Sequence, residues 1–302
     1  TDVYEPGSTF KIVASSGALN ERLVTPETEF DCSLTSVEYQ GKPRKLPGEA
    51  HHLGRLSVAG IVGKSSNKGA AQLGILLGAD RLHDYAQAFG FGTETGYPLG
   101  GEVSGVLHPV DKWDGLTITR LPMGHSVSAT PMQVHSAMGV VASGGVLVRP
   151  WIIREIRDNL GRQVAAYEPL PRRRVINRQT ATTMAGLLVE AASSEGTGKA
   201  AAIEGYQVAG KTGTTQKIID GKYSKTHHIG SFVGFFPANR PQVQITVVVN
   251  DGHLATGGLA YGGTVAAPSF KRIGEQLIPY LGIQPADAPV PRPVVAMTAA
   301  PR

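Results

Sequence analysis

The chain has 302 residues, of which 41% are hydrophobic and 18% charged, and its formal net charge is +5. This length and composition allow one sizeable buried core, and the mildly basic balance permits an acidic polymer as a partner without requiring one. A single cysteine excludes an internal disulfide, and no apolar run is long enough to cross a bilayer.

The first predicted element is a largely buried helix over residues 8–21, which follows a proline–glycine turn. Ser8 then lies at the helix N-terminus, where its N–H and the positive helix end favour a developing oxyanion. Lys11 lies three residues further on and faces the same side. Burial and the charge of a second lysine, Lys211, would lower the pKa of Lys11. Ser8 is therefore the candidate nucleophile and Lys11 the candidate general base.

The second candidate string is Ser65-Ser66-Asn67, which follows a helix predicted from the apolar periodicity of residues 56–62 and ending near Lys64. A loop there would project the Ser65 hydroxyl and the Asn67 amide into a cleft. The hydroxyl can donate and accept, which suits a proton relay, and the amide can bind a substrate carbonyl. A simple capping loop is the alternative for this string taken alone.

The third string, Lys211-Thr212-Gly213-Thr214, lies in a strand predicted over residues 208–215. Its glycines leave room for another backbone, so an extended peptide could add to this strand. Lys211 and the hydroxyls of Thr212 and Thr214 would grip a terminal carboxylate. The Thr214 N–H could be a second oxyanion donor, opposite the N–H of the nucleophile. An edge strand without a ligand is the alternative.

The rest of the chain predicts an α/β (α+β) fold, in which an antiparallel sheet flanked by helices faces a helical subdomain across a cleft. Helices dominate up to about Ser143. Later strands are predicted at residues 146–157, 208–217, 229–236 and 243–250, and later helices at 180–192 and 268–281. A Pro-rich composition predicts a disordered tail over residues 282–302, after a single domain over residues 1–281.

Three other patterns predict no cofactor, metal or nucleic-acid site. Gly196-Thr197-Gly198-Lys199 resembles part of a phosphate loop, but Ala200 stands where a hydroxyl should bind magnesium. The two histidines of each pair, His51-His52 and His227-His228, are adjacent, so in a strand their side chains would point to opposite faces. The sequence also provides no carboxylate or cysteine ligands near them. The run Arg172-Arg173-Arg174 has no interleaved aromatic residues and is expected to be a solvated face.

The three strings and their order resemble the transpeptidase domain of class B penicillin-binding proteins, and the likeness extends to about Leu281. The further segments that resemble this family are residues 4–11, 52–56, 123–133, 195–200, 230–237 and 261–268. The last three of these segments resemble those of septal or sporulation members of the family.

The resemblance implies a peptidoglycan D,D-transpeptidase. Ser8 would attack the penultimate D-Ala carbonyl of a stem peptide and release the terminal D-Ala. The amine of a neighbouring stem would then take the acyl group and form a crosslink. β-Lactam antibiotics would acylate the same serine. No metal or organic cofactor and no nucleic acid is implied.

The resemblance also implies a cellular location and a longer parent protein. Family members are held at the extracytoplasmic face of the bacterial membrane by an N-terminal anchor and carry a non-catalytic pedestal domain. This chain begins seven residues before Ser8, so we expect an N-terminally truncated domain whose sheet is short of strands. Other cell-wall synthesis or division proteins would then be partners through regions outside this chain.

Two alternative functions share the acylation groups. A serine β-lactamase or DD-carboxypeptidase would also need a base placed for water, which a Glu-x-x-x-Asn string could supply. We expect no such base at this site, and therefore slow deacylation. A non-enzymatic penicillin sensor would keep Ser8 and Lys11 and need a transducing segment, and turnover of a D-Ala-D-Ala peptide would exclude it.

Overall fold

The computed structural model describes residues 2–49, 51–254 and 260–285. The helices are α1 (Lys11–Asn20), α2 (Val58–Lys64), α3 (Asn67–Leu77), α4 (Ala79–Ala88), α5 (Thr117–Arg120), α6 (Pro131–Ala142), α7 (Arg178–Ala192), α8 (Gly262–Val265) and α9 (Ala267–Leu281). The strands of the first half are β1 (Glu29–Asp31), β2 (Ser36–Tyr39), β3 (Lys42–Lys45), β4 (Arg55–Ser57), β5 (Val106–Leu107), β6 (Val127–Ser128) and β7 (Val146–Arg149). The strands of the second half are β8 (Glu155–Arg157), β9 (Gln163–Ala166), β10 (Leu170–Arg174), β11 (Ala209–Ile219), β12 (Lys222–Phe236) and β13 (Val243–Asn250).

Helix α1 runs through the main hydrophobic core, and nearly all of its residues are buried. A 3-10 turn over Gly7–Phe10 leads directly into it. Small residues let the neighbouring side chains approach closely, since a Cβ added to Gly17 would lie 3.0 Å from both Leu77 and Tyr85. The predicted buried helix is confirmed, with Ser8 in the turn that begins it.

Helices α2 and α3 are joined by only two residues. Ser65 ends α2 in the left-handed region, with φ 59°, and Ser66 begins α3 as its N-cap by accepting a hydrogen bond from the Gly69 N–H at 3.0 Å. The predicted end of the first of these helices is confirmed. Its start lies at Val58 instead of two residues earlier, because Leu56 pairs with Phe30 between β4 and β1.

The main sheet is antiparallel, with strand order β11-β12-β13 in the described part of the chain. The three strands predicted for it are confirmed, although β11 and β12 continue further as a hairpin. Helix α9 packs on this sheet through Phe270, whose ring centroid lies 4.8 Å from that of Phe232 and 6.1 Å from that of Phe236. The α+β fold with an antiparallel sheet is therefore as predicted.

The strand material predicted over residues 146–157 is present, but it is interrupted. The structure divides it into β7 and β8, which belong to two different two-stranded sheets, β10–β7 and β8–β9. Pro150 stands between them and lacks the N–H that a continuing ladder requires. The first half of the chain, predicted to be mainly helical, also contains the six short strands β1 to β6 within its described residues.

The arginine run of β10 is exposed, but it is more than a solvated face. Arg173 donates from Nε to the carbonyl of Ala88 at 2.9 Å and from Nη2 to that of Gln87 at 2.8 Å. These carbonyls lie at the C-terminus of α4, where a positive charge is favourable. The two neighbouring arginines also donate to backbone carbonyls, so the run fastens β10 to the surrounding chain.

The predicted tail lies almost entirely outside the described residues. Helix α9 ends at Leu281, and the proposed boundary between the domain and the tail at this position stays a prediction. Among the helices of the described residues, none combines the length and apolar character that crossing a membrane requires.

Candidate active site

The three predicted strings meet at the Ser65 hydroxyl. Lys11 Nζ donates to Asn67 Oδ1 at 2.8 Å and to Ser65 Oγ at 3.1 Å, and it also donates to the Ser65 carbonyl. Lys211 Nζ donates to the same Ser65 Oγ at 2.9 Å. One network therefore contains side chains from α1, from the turn between α2 and α3, and from β11.

The conformation of the turn explains how Ser65 reaches both lysines. Its left-handed backbone at the end of α2 brings its carbonyl and its hydroxyl to Lys11, while Ser66 caps α3. A hydroxyl has two acceptor sites and one proton. Because the two lysines occupy the acceptor sites, the Ser65 proton remains available to a group in the cleft. The alternative of a simple capping loop therefore applies to Ser66, which caps α3, but not to Ser65, which bonds to both lysines.

Ser8 is half-buried, and its hydroxyl makes no hydrogen bond within the described part of the chain. Lys11 Nζ is directed to Ser65 and Asn67 instead of to Ser8. Catalytic hydrogen bonds are often formed only when the substrate is bound. The predicted base therefore lies one helical turn from the predicted nucleophile, held by oxygen acceptors.

Both lysines of the network are buried, which disfavours their charged forms. Burial lowers the pKa of Lys211 to about 7. The pKa of Lys11 lies well below its ordinary value, first because of burial and second because of the Lys211 charge, while the carboxylate of Glu49 acts in the opposite direction. A lower pKa increases the fraction of the Lys11 amine that has a free lone pair, as a general base requires.

The glycines of β11 serve a different purpose from the one predicted. A Cβ on Gly210 would overlap the Phe232 ring, and a Cβ on Gly213 would lie 3.0 Å from Thr9 Cγ2 and 3.1 Å from the Pro6 carbonyl oxygen. These glycines therefore let β12 and the nucleophile turn approach β11, rather than a docked peptide. Strand β11 is nevertheless an edge strand of the main sheet in the described residues.

The two threonines of the third string have oriented hydroxyls. Thr212 Oγ1 lies 2.8 Å from Thr197 Oγ1, and Thr214 Oγ1 accepts a hydrogen bond from the Gly262 N–H at 3.0 Å. Thr197 is exposed and Thr212 is buried, so the pair reaches from the strand to the protein surface. Thr197 and Gly262 lie in the segments 195–200 and 261–268 that resemble the family, but no role was predicted for either residue, because their contacts with β11 arise only in the folded chain.

Glu49 is a site residue that the sequence analysis did not identify. One of its carboxylate oxygens accepts from the Lys68 N–H at 2.9 Å and from the Ser66 hydroxyl, and the other accepts from the Asn67 N–H at 3.0 Å. It stands 17 residues before Ser66, with β4 and α2 in between. No periodic pattern or local motif connects positions at that separation.

A second unpredicted cluster lies just before the nucleophile turn. The Glu5 carboxylate accepts from the Ser126 N–H at 3.0 Å and from the Tyr223 hydroxyl at 3.0 Å, and it lies 2.9 Å from His125 Nδ1. The cluster ties together the segment before Ser8, the 124–126 turn and the β11–β12 hairpin.

The nucleophile turn also contacts this 124–126 turn through backbone alone. The Gly7 N–H donates to the Gly124 carbonyl at 3.1 Å. Gly124 has φ 83°, and a Cβ added to it would overlap the backbone of Gly7. Glycine is therefore required at Gly124 both by its conformation and by the close approach.

In the described residues, the histidine pairs make no hydrogen bond to the side chains of the Ser65 network, whereas Thr197 of the Gly196–Lys199 pattern contacts Thr212. His227 Nδ1 lies 2.8 Å from both carboxylate oxygens of Asp251, a neighbour that was not predicted. Within the ranges that the structure describes, no group of three or more His, Cys, Asp or Glu side chains could hold a metal ion.

One Glu-x-x-x-Asn string does occur in the sequence, from Glu155 to Asn159. Glu155 begins β8, and its carboxylate accepts from Arg157 Nε at 3.1 Å and from Arg154 Nη2 at 3.3 Å. None of the predicted site side chains bonds to it. This carboxylate is therefore occupied by surface arginines and is not a base of the Ser65 network.

Comparisons with known proteins agree with this geometry. The profile of the family described as "Penicillin binding protein transpeptidase domain" matches residues 1–275. "Stage V sporulation protein D" of Bacillus subtilis is 37% identical over 283 residues, which cover 93% of this chain and 43% of that protein. "Probable peptidoglycan D,D-transpeptidase PenA" of Neisseria meningitidis is 30% identical over 287 residues, which cover 94% of this chain and 46% of that protein.

Solved structures give the same result. The crystal structure of penicillin-binding protein 3 from Mycobacterium tuberculosis, complexed with aztreonam, superposes with a TM-score of 0.80 at 30% identity. The match covers 94% of this chain and 64% of that one. The chain thus spans less than half the length of the two relatives named above.

Proposed function

Because this chain belongs to the penicillin-binding protein transpeptidase family, we propose that it is the catalytic domain of a peptidoglycan D,D-transpeptidase. The observation that carries the proposal is the placement of Ser65 Oγ between the amines of Lys11 and Lys211, with Lys11 one helical turn after Ser8. The donor substrate is a stem peptide that ends in D-Ala-D-Ala, and the acceptor is the amine of a second stem.

Acylation begins when Ser8 Oγ attacks the penultimate D-Ala carbonyl. Lys11 removes the hydroxyl proton as the new C–O bond forms, and the N–H groups of Ser8 and Thr214 stabilise the oxyanion. As the C–N bond breaks and the carbonyl re-forms, Ser65 delivers its proton to the leaving amine and takes up the proton that Lys11 holds, so that the terminal D-Ala departs as a free amine. Lys211 binds the terminal carboxylate together with the hydroxyls of the third string.

Deacylation uses the acceptor amine in place of water. The amine attacks the ester carbonyl, gives up a proton to the same base, and releases Ser8 as a free hydroxyl. A β-lactam is opened by the same attack, but its leaving nitrogen stays attached to the acyl group. In the described residues no carboxylate bonds to Ser65 or to the Lys11 amine, where it could act as a base for water, so we expect that acyl-enzyme to persist.

The cellular setting follows from the substrate. Peptidoglycan stems lie outside the cytoplasm, so the domain works at the extracytoplasmic face of the membrane, held there by an anchor beyond this chain. The names of relatives, which include a sporulation protein and "Peptidoglycan D,D-transpeptidase FtsI" of Buchnera aphidicola, support a role in septal wall synthesis with division proteins as partners.

The proposal is tested with a D-Ala-D-Ala pentapeptide, with and without an amine acceptor, by following free D-Ala and the mass of the peptide products. We expect a crosslinked product when the acceptor is present and slow hydrolysis when it is absent. Fast hydrolysis whose rate and products do not change when the acceptor is added would indicate a carboxypeptidase. Rapid turnover of penicillin would indicate a β-lactamase. A lasting penicillin adduct without any peptide turnover would indicate a sensor.

The pH dependence of acylation tests the role of Lys211. Its ammonium is present below a pKa of about 7 and is lost above it. The second-order rate constant for acylation by a penicillin is therefore expected to fall as the pH rises through about 7, since kcat/KM-type constants report the free enzyme. The methyl ester of the same penicillin has no carboxylate and should lack this decline. An equal decline for the ester would contradict carboxylate binding by Lys211.

A further inference from the structure

We propose that Glu49 is a positioning residue for acylation, which holds the turn between α2 and α3 so that Ser65 and Asn67 converge on Lys11, and which places a negative charge beside that lysine. The inference rests on the proposed function and adds a residue to it.

The contacts of Glu49 are concentrated on this turn. Its two carboxylate oxygens accept from the backbone N–H groups of Asn67 and Lys68 and from the Ser66 hydroxyl. These N–H groups belong to the first turn of α3, which has no intrahelical acceptors for them. A carboxylate at a helix N-terminus is also favoured by the helix dipole. Glu49 therefore caps α3 from outside the helix, at the position where the site begins.

The residue next to Glu49 fixes the orientation of Asn67. The Asn67 Nδ2 group donates to the Gly48 carbonyl at 2.8 Å, while Asn67 Oδ1 accepts from Lys11 Nζ at 2.8 Å. An amide has one donating and one accepting end. Since Gly48 takes the donating end, the accepting end must face the lysine. The 48–49 segment thus orients both the backbone and the side chain of Asn67.

The charge of Glu49 acts on Lys11 as well. The charged groups that face the Lys11 amine are Lys211 from β11 and Glu49 from the segment before β4, and the turn contributes only the neutral Ser65 and Asn67. The Glu49 carboxylate favours the ammonium form, and the Lys211 charge opposes it. Without the carboxylate charge, Lys11 loses its proton at a lower pH.

The test compares Glu49→Gln with the wild type by measuring the acylation rate of a fluorescent penicillin across a range of pH. Losing hydrogen bonds to a charged acceptor should slow acylation by about 10- to 100-fold at neutral pH. Acylation requires neutral Lys11, so its rate rises with pH through the pKa of Lys11. This rise should move to lower pH in Glu49→Gln, which a purely structural defect would not cause.

A matched control is available in Glu102→Gln. The Glu102 carboxylate also accepts from backbone N–H groups of one loop, those of Thr95 at 3.2 Å, Gly96 at 2.7 Å and Tyr97 at 3.0 Å. It bonds to none of the site residues, so its acylation profile should match that of the wild type. Glu49→Asp keeps the charge and should therefore be slowed without any shift in the pH profile.

Each result bears on a different claim. If the wild type is acylated and Glu49→Gln acylates within about twofold of it at every pH, the inference is wrong while the proposed function stands. A uniform loss of rate in Glu49→Gln with an unmoved pH profile also overturns it, because the charge then has no part. A folded wild type that is never acylated contradicts the proposed function itself.

Discussion

Ser8→Ala is expected to form no covalent adduct with a penicillin, whereas the wild type gains the full mass of the antibiotic and keeps it for hours. The hydroxyl of Ser8 is the only group that the proposed mechanism lets attack the carbonyl. Alanine removes it from a half-buried position in the 3-10 turn where the hydroxyl has no hydrogen bond to lose within the described residues. Intact-mass spectrometry reads the result directly.

A matched control for this variant lies in the same helix. Ser16 is buried in α1, and its hydroxyl has no hydrogen-bond partner among the residues that the structure describes. Ser16→Ala should therefore fold and acquire the adduct as the wild type does. An adduct that persists in Ser8→Ala would assign the nucleophile elsewhere, and peptide mapping of the modified residue would then examine Ser65 first.

Lys11→Met is expected to lower the acylation rate by about 10²- to 10⁴-fold, the usual contribution of a general base. Methionine fills much of the same buried space but has no basic nitrogen. The measurement is the rate of adduct formation at saturating penicillin, where the chemical step is isolated from binding.

Folding must be measured beside this rate. Lys11→Met leaves the partly buried Asn67 Oδ1 without its Lys11 donor, which costs up to about 1–3 kcal/mol of unfolding free energy, the range for a fully buried unpaired group. Lys68→Met is the control, because that amine donates to the Ser33 carbonyl at 3.1 Å on the exposed side of α3. A folded Lys11→Met that acylates within about tenfold of the wild type would remove Lys11 as the base.

The parts of the site that could be predicted from the sequence are those whose residues lie close together in the chain and form a recognisable local pattern. Ser8 and Lys11 share a side because they lie three residues apart in a helix whose periodicity is visible in the sequence. The end of α2 and the strands of the main sheet were predicted for the same kind of reason. The position of Lys211 beside Ser65 followed from the family resemblance, since a separation of 146 residues carries no local signal.

The parts that were missed depend on contacts between distant segments. Glu49, Thr197 and the partners of Glu5 acquire their places only when loops meet in the folded chain. The glycines of β11 were predicted to admit a peptide, because a sequence shows where a side chain is missing but not which neighbour fills the space. The break between β7 and β8 is different, since Pro150 was a local signal for it.

The backbone contact between Gly7 and Gly124 limits how such a protein could change under antibiotic selection. A side chain at Gly124 would push on the turn that carries Ser8, although Gly124 itself belongs to a different segment. Acylation by the antibiotic and acylation by the natural peptide would both depend on the position of Ser8. A displacement of Ser8 that prevents the first reaction would therefore also prevent the second. If the proposed function holds, we expect substitutions that confer resistance at exposed positions such as Thr197 before the glycine contact beside the nucleophile turn.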